Sequence, residues 1–311
     1  MSETNRVLSP EKVAQFENDG YLILHDFMSP EEVHTLLERS KELLKEFPLE
    51  DHPMTKFTTG EEAGSEKHVG DEYFLTSGDK IRFFFEEDAV AGGKLDRPKE
   101  LAVNKMGHGL HFLEPAFRAF TLGNPKLVQL AKDLGFHRDP AVLQSMVIFK
   151  QPSIGGKVPE HNDSTFLYTD PPSALGFWFA LEDCTPENGA LSFLPGSHKT
   201  SPVSKRFVRL PEGGTGFENL VDPNAPLPAI EGEYVQECCK AGTLVLIHGS
   251  VLHKSEKNSS SKTRYAYTFH MIESPPFAQY DAKNWLQPTP DAPFSHLFNG
   301  DTAVQRSTVN A

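Results

Sequence analysis

Short apolar runs separated by turn-forming residues dominate the chain from Tyr73 onward. Runs of this length, with Gly, Pro and Asn between them, are typical of strands in an antiparallel sandwich or barrel. The clearest runs are 81–85, 143–149, 176–181, 190–194, 242–247 and 265–272. Asn188-Gly189 lies between two of them and predicts a hairpin that joins 176–181 to 190–194. We therefore expect a mainly β fold.

The first 50 residues have a different pattern, with apolar positions at helical spacing. Ser9-Pro10 and Ser29-Pro30 each place a capping hydroxyl before a proline, which is typical of the start of a helix. A short apolar strand, 21–24, lies between the two predicted helices. We expect 1–50 to form an N-terminal helical part, and we predict a further helix over 126–135.

The segment 204–232 is rich in Gly, Pro and charged residues. This composition predicts a long surface insertion between two strands. No internal repeat divides the chain, and large β folds often run to this length as one unit. We therefore expect 1–311 to be a single domain.

Composition and charge exclude some classes of partner. The chain has 30 Lys+Arg against 43 Asp+Glu, a formal charge of −13, which disfavours binding to nucleic acid. No apolar run approaches the roughly 20 residues that a membrane span needs, so we expect no membrane partner. Three cysteines, a polar N-terminus and a C-terminus without Ser-Lys-Leu predict a cytoplasmic protein. Nothing in the pattern indicates an oligomeric state.

The motif His161-Asn162-Asp163 carries two ligand-type side chains. On an extended segment, positions i and i+2 project to the same side, so an imidazole and a carboxylate can reach one metal ion. His248 and His253 compete for a third position, and the spacing to Arg264 favours His253. Two histidines and one carboxylate are typical of non-haem Fe(II) oxygenases. Arg264 suits the far carboxylate of 2-oxoglutarate, which those enzymes commonly use.

These motifs resemble the phytanoyl-CoA dioxygenase family. The resemblance covers His161 to Asp163, the segment VLHKS with His253, and Arg264 eleven residues further on. It extends over the segments 73–86, 104–111, 144–152 and 187–198. Membership would imply a double-stranded β-helix, or jelly roll, with the N-terminal helices packed on it.

The resemblance also implies a set of site residues. Fe(II) would be bound by His161, Asp163 and His253, and O₂ would be the oxidant. Contacts to 2-oxoglutarate are implied for Lys105, Met146, Trp178, Ser255 and Arg264. Because an acid is present at Asp163, the chain should hydroxylate rather than halogenate. The predicted reaction is hydroxylation of a C–H bond in a small-molecule substrate, with release of succinate and CO₂.

Other interpretations stay open from the sequence. The same chemistry could act on a protein or a nucleic-acid methyl group, or the chain could be a non-catalytic jelly-roll binding module. A zinc hydrolase could use the same ligands, but Arg264 has no evident role there. Lys105 also suits a solvated surface lysine, and Met146 and Trp178 also suit a plain core.

Overall fold

The computed structural model describes residues 6–58, 69–222 and 231–298. Its helices are α1 Pro10–Asp19, α2 Pro30–Glu46, α3 Glu72–Leu75, α4 Leu110–Leu113, α5 Pro115–Thr121, α6 Pro125–Leu134 and α7 Ser197–Thr200. Short 3₁₀ turns span Glu87–Ala89, Lys99–Leu101 and Asp163–Thr165. In the described ranges, no helix combines the length and the apolar character that a membrane span requires.

The strands account for most of the regular structure. They are β1 Tyr21–Leu24, β2 Ile81–Phe85, β3 Val90–Ala91, β4 Lys94–Leu95, β5 Val103–His108, β6 Pro140–Ile148, β7 Val158–His161, β8 Thr169–Asp170 and β9 Leu175–Ala180. They continue with β10 Leu191–Phe193, β11 Lys205–Arg209, β12 Thr215–Asn219, β13 Val235–Glu237, β14 Leu244–His248, β15 His253–Ser255, β16 Ala266–Glu273, β17 Gln279–Tyr280 and β18 Ser295–His296.

Two antiparallel sheets form the body of the protein. The larger sheet has the order β1-β14-β9-β16-β6-β5-β2, with β18 paired to β6, and the smaller has the order β13-β10-β15-β7. The chain passes from one sheet to the other along β6, β7, β9 and β10, and again along β13, β14, β15 and β16. This alternation generates a double-stranded β-helix. The prediction of a jelly roll with flanking helices is confirmed.

The N-terminal helices begin where their caps predict. Ser9 accepts a hydrogen bond from the N–H of Lys12, and Ser29 and Glu32 form a reciprocal capping box. Strand β1 adds to the edge of the larger sheet by pairing with β14. Buried side chains of α1 and α2 share one apolar core with that sheet, including Phe16, Leu36 and Leu44. The helices therefore brace the outer face of the larger sheet and leave its inner face for the cavity.

The predicted hairpin at Asn188-Gly189 is wrong. Strand β9 belongs to the larger sheet, whereas β10 belongs to the smaller one and pairs with β13 and β15. The Asn188 side chain instead accepts from the Thr185 N–H and donates to the Asp183 carbonyl, which shapes a crossover between the sheets. Gly189 has φ +81°, and a Cβ there would lie 2.3 Å from the Cε atom of Lys150. The turn predicted at Asn188-Gly189 is present, but it connects strands of two different sheets and not the two strands of a hairpin.

The segment predicted as an insertion, 204–232, contains the hairpin β11–β12. This hairpin is attached to the body: the Arg209 guanidinium donates to the carbonyls of Leu75 and Trp285, at 2.7 and 2.6 Å. Phe207 of β11 is buried. Residues 223–230 of the segment lie outside the described residues.

Candidate active site

The pairing of β7 with β15 places two histidines side by side. His161 lies directly opposite His253 in the register, and their ring centroids are 4.2 Å apart. After His161, the Asn162 side chain accepts from the N–H of Thr165 and starts a 3₁₀ turn at Asp163. The Oδ1 atom of Asp163 consequently lies 3.6 Å from Nε2 of His161 and 3.8 Å from Nε2 of His253.

Both histidines have their ring orientation fixed by backbone carbonyls. The Nδ1 of His161 is 2.8 Å from the Pro159 oxygen, and the Nδ1 of His253 is 3.2 Å from the Val251 oxygen. A carbonyl can only accept, so each Nδ1 donates and each Nε2 keeps its lone pair. Burial, with a smaller effect of His253, lowers the pKa of His161 to about 4. His161 therefore presents the neutral nitrogen that metal ligation requires.

Asp163 is 8% exposed and faces a third imidazole on its other side. Its Oδ2 lies 3.2 Å from Nε2 of His270. Burial alone would raise the pKa of Asp163, but the imidazoles of His270 and His253 outweigh burial and hold the pKa below its usual range. Gly176 leaves the room for this arrangement, since a Cβ there would lie 3.3 Å from both Oδ2 and the His270 nitrogen.

The donor set fits an Fe(II) ion. One ligand atom from each of His161, Asp163 and His253 lies within 4.8 Å of the others. Metal bonds of about 2 Å at right angles require separations of about 3 Å, which small side-chain rotations provide. Three ligands on one face leave the opposite positions open. His248 is not part of this cluster; its ring packs against Phe136 at 5.1 Å.

The candidate ligands line a cavity of about 800 Å³ inside the jelly roll. Alternate residues of β6 share the inner face, so Gln144, Met146 and Ile148 all line it, and Lys150 follows them. On the neighbouring β16, His270 lies opposite Gln144. Arg264 comes two positions before this strand begins and six before His270, about 20 Å along an extended chain. Arg264 therefore marks one end of the cavity, and His270, beside Asp163, lies further along it.

One end of the cavity is cationic. Arg264 is 2% exposed, and its Nε and Nη1 atoms have no hydrogen-bond partner in the part of the chain that the structure describes. Lys150 and Lys105 line the same end, together with the buried acid Glu86. Burial lowers the pKa of all three basic groups, to about 7 for Lys105. Buried cations that outnumber their acid and lack a carboxylate partner predict an anionic ligand.

Met146, Ser255 and Trp178, the other residues predicted to contact 2-oxoglutarate, lie near the cationic end of the cavity. Of these three, only Met146 lines the cavity. Ser255 is buried and accepts a hydrogen bond of 2.7 Å from Nζ of Lys150. Trp178 is core and lies beside Arg264, with 5.2 Å between the guanidinium carbon and the ring centroid. The structure thus brings all the predicted residues together, two of them as supports of basic side chains.

Three residues of the site were not predicted from the sequence: Lys150, Gln144 and His270. The feature that could have identified them is the alternation of inner and outer positions along the predicted strands. Lys150 is four positions after Met146, and His270 is six after Arg264, so each falls on the inner face. The period of two along a strand identifies site residues only when the inner face of each strand is known. The motifs indicated the inner face only for the metal ligands.

A jelly roll that carries two histidines and a carboxylate on one face, with a buried arginine in the same cavity, defines the class of 2-oxoglutarate-dependent non-haem iron dioxygenases. The family model of phytanoyl-CoA dioxygenase (PhyH) matches residues 16–266, and the chain belongs to this family. The predicted enzyme class and family are confirmed.

Relatives agree over nearly the whole chain. Phytanoyl-CoA dioxygenase domain-containing protein 1 of Bos taurus is 44% identical over 301 residues, covering 94% of this chain and 99% of the relative. Phytanoyl-CoA dioxygenase of Arabidopsis thaliana is 43% identical over 282 residues, covering 90% and 94%.

Solved structures share the fold at low identity. The non-heme alpha ketoglutarate dependent carbocyclase SnoK has a TM-score of 0.59 at 19% identity, covering 93% of this chain and 97% of SnoK. EctD from S. alaskensis, solved with 2-oxoglutarate and 5-hydroxyectoine, has a TM-score of 0.57 at 18% identity, covering 88% and 79%. The same EctD has also been solved with bound Fe.

Proposed function

We propose that the chain hydroxylates a C–H bond of a small molecule, using Fe(II), 2-oxoglutarate and O₂, and releases succinate and CO₂. His161, Asp163 and His253 would bind the iron. Arg264, with Lys150 and Lys105 nearby, would bind the far carboxylate of 2-oxoglutarate. When bound, the iron and its cosubstrate supply the oxidising chemistry that no side chain can supply.

The chain's own residues bind, orient and exclude water. The carbonyls of Pro159 and Val251 keep the Nε2 lone pairs of the two histidines directed at the metal position. The ring of Trp178 packs against the Arg264 guanidinium. The Ser255 hydroxyl accepts a hydrogen bond from Lys150. The proposal needs no catalytic acid or base, because the side chains act by position and charge.

The observation that carries the proposal is the pairing of the metal cluster with Arg264 in one cavity. The guanidinium is buried, and two of its donor atoms have no hydrogen-bond partner among the residues that the structure describes. Such a group is costly unless an anion meets it. A zinc hydrolase would have no use for it, whereas 2-oxoglutarate has one carboxylate for the metal and another for the arginine.

The small-molecule part of the proposal is supported by the shape of the site. A cavity of about 800 Å³ is in the usual range for small-molecule ligands. Phe207, from the base of the β11–β12 hairpin, and Phe166 form part of its wall. The carboxylate ligand Asp163 supports hydroxylation, because it takes the coordination position that a halide would need.

The test is succinate formation under defined loading. The purified protein is loaded with Fe(II) and 2-oxoglutarate without oxygen, O₂ is admitted, and succinate is measured. We expect slow succinate release in the wild type and none in Asp163→Ala. The matched control is Asp96→Ala, which removes an exposed carboxylate paired to Arg97 far from the metal cluster; it should behave as wild type.

Binding of 2-oxoglutarate is measured in parallel by calorimetry. Binding with iron-dependent affinity, even where succinate release requires the true substrate, supports the proposal. Failure of 2-oxoglutarate to bind, or succinate release that is equal in Asp163→Ala, would overturn it and favour a non-catalytic binding module.

Cytoplasmic residence also belongs to the proposal. Cys184, Cys238 and Cys239 are all unpaired thiols, which suits a reducing compartment. Fractionation of cells that express the tagged chain tests this, and recovery in organelles would contradict it.

A further inference from the structure

The end of the cavity away from Arg264 has an aromatic wall. Phe74 stacks on Trp285 with centroids 4.3 Å apart, and the ring of His108 meets Trp285 edge-on at 5.1 Å. All three residues line the cavity, and each is at most 5% exposed. Flat aromatic walls of this kind favour a flat ligand that can stack or make edge contacts.

His108 presents a hydrogen-bond acceptor at this end. Ser77 donates its one hydroxyl proton to the Phe74 carbonyl at 2.6 Å, so the His108 Nδ1, 2.7 Å away, must donate to the Ser77 oxygen. The other nitrogen, Nε2, then keeps its lone pair and makes no hydrogen bond with any described residue. Burial, with smaller effects of Lys105 and Arg82, lowers the pKa of His108 to about 3, so the ring is neutral.

Gln144 presents a second acceptor. Its Nε2 is 2.9 Å from Nδ1 of His270, whose own Nε2 faces the Asp163 carboxylate. An amide nitrogen can only donate, so Gln144 donates to the His270 Nδ1. The Gln144 Oε1 consequently stays free, and it is buried without a partner among the described residues.

From these contacts we infer that the substrate is an uncharged aromatic ring that carries an N–H or O–H donor, bound against the cavity wall that Phe74, Trp285 and His108 form together. The donor meets the acceptors of His108 and Gln144. The inference rests on the proposed function, because it takes this end of the cavity as the place of the substrate. An anionic ring is disfavoured, since it would bring a negative charge against the acceptor atoms of His108 and Gln144.

The test compares matched ring compounds that differ in the donor. Indole and phenol are titrated beside 1-methylindole, anisole and benzoate, on protein loaded with Fe(II) and 2-oxoglutarate without oxygen, and dissociation constants are measured by ligand-observed NMR. We expect indole and phenol to bind about fivefold more tightly than their methylated partners, the effect of one net hydrogen bond. Apolar burial alone would give the opposite order, because methylation adds apolar surface.

Two variants test whether the acceptor atoms of His108 and Gln144 cause the preference for ring compounds that carry a donor. Gln144→Met and His108→Phe keep the approximate size of each side chain and remove the acceptor, so each should reduce the preference for the donor compounds. Gln129→Met, the same change on helix α6, is the control and should leave it intact. Thermal melts confirm that each variant is folded.

The inference and the proposed function fail in different ways. A lack of binding, a preference for the methylated rings or benzoate, or a preference undiminished in both variants would overturn the inference, even if succinate is released. Donor-selective binding in a protein that neither binds 2-oxoglutarate nor releases succinate would overturn the proposed function and leave only the donor-selective pocket.

Discussion

His270 Nε2 lies 3.2 Å from Oδ2 of Asp163, while Oδ1 of the same carboxylate faces His161 and His253. The two oxygens of Asp163 thus have different neighbours. One is directed at the metal position and the other is held by a ring on β16. A side chain that orients a metal ligand in this way commonly contributes to metal affinity without touching the metal.

Replacing His270 with Phe should weaken metal binding. The change keeps a ring and removes the N–H that holds Asp163, so we expect the affinity for Mn(II), a redox-stable probe, to fall about 10- to 100-fold. Calorimetric titration measures this. His296→Phe is the control, because it removes a surface histidine 2.9 Å from Asp139. Equal affinity in wild type and His270→Phe would contradict the orienting role.

Replacing Arg264 with Met should abolish the stabilisation by 2-oxoglutarate without lowering the stability of the protein alone. A buried guanidinium without an anionic partner costs free energy, so the variant without 2-oxoglutarate should be as stable as wild type or more stable. At a 2-oxoglutarate concentration 100 times the dissociation constant, the wild type should gain about 2.7 kcal/mol of unfolding free energy. Denaturant melts at that concentration should show no such gain in Arg264→Met. An equal gain in both would contradict the anchoring role.

Lys150 should contribute to 2-oxoglutarate affinity through its charge and through Ser255. It is 2% exposed, and Nζ donates to the Ser255 oxygen at 2.7 Å. A hydrogen bond to a charged group contributes about 1.5–3 kcal/mol, so Lys150→Met should raise the KM for 2-oxoglutarate roughly 10- to 100-fold. The kcat at saturating cosubstrate should change much less. Lys41→Met, at an exposed lysine paired with Glu38 on α2, is the matched control.

Much of the fold follows from local signals in the sequence. The serines before Pro10 and Pro30 cap helices where expected, because capping depends only on neighbours along the chain. The strand positions also follow from short apolar runs. The pairing of the strands does not follow from local signals, because it is determined by contacts between segments that are distant in the sequence. Asn188-Gly189 shows the difference: its turn geometry is local, but the partners of the strands on either side are not.

The candidate site divides in the same way. His161 and Asp163 are two positions apart, so one motif predicts that they converge. Lys150 and His270 become site residues only through the register of β6 with β16 and β9, in which His270 lies opposite Gln144 and Gly176. No short motif encodes that register, and the single sequence therefore left both residues out.

Lys105 should make 2-oxoglutarate binding depend on pH. Burial lowers the pKa of its ammonium to about 7, with the charge of Glu86 opposing part of the shift. The protonated form, which attracts the anionic cosubstrate, dominates below pH 7, and bound anion raises the pKa further. As the pH rises above 7, free protein must take up a proton to bind, so affinity should fall by up to about tenfold per pH unit. Calorimetry from pH 6 to 9 measures this, with Lys105→Met as the variant that should show a flat profile. An unchanged slope in Lys105→Met would assign the pH dependence to another group and contradict the role of Lys105.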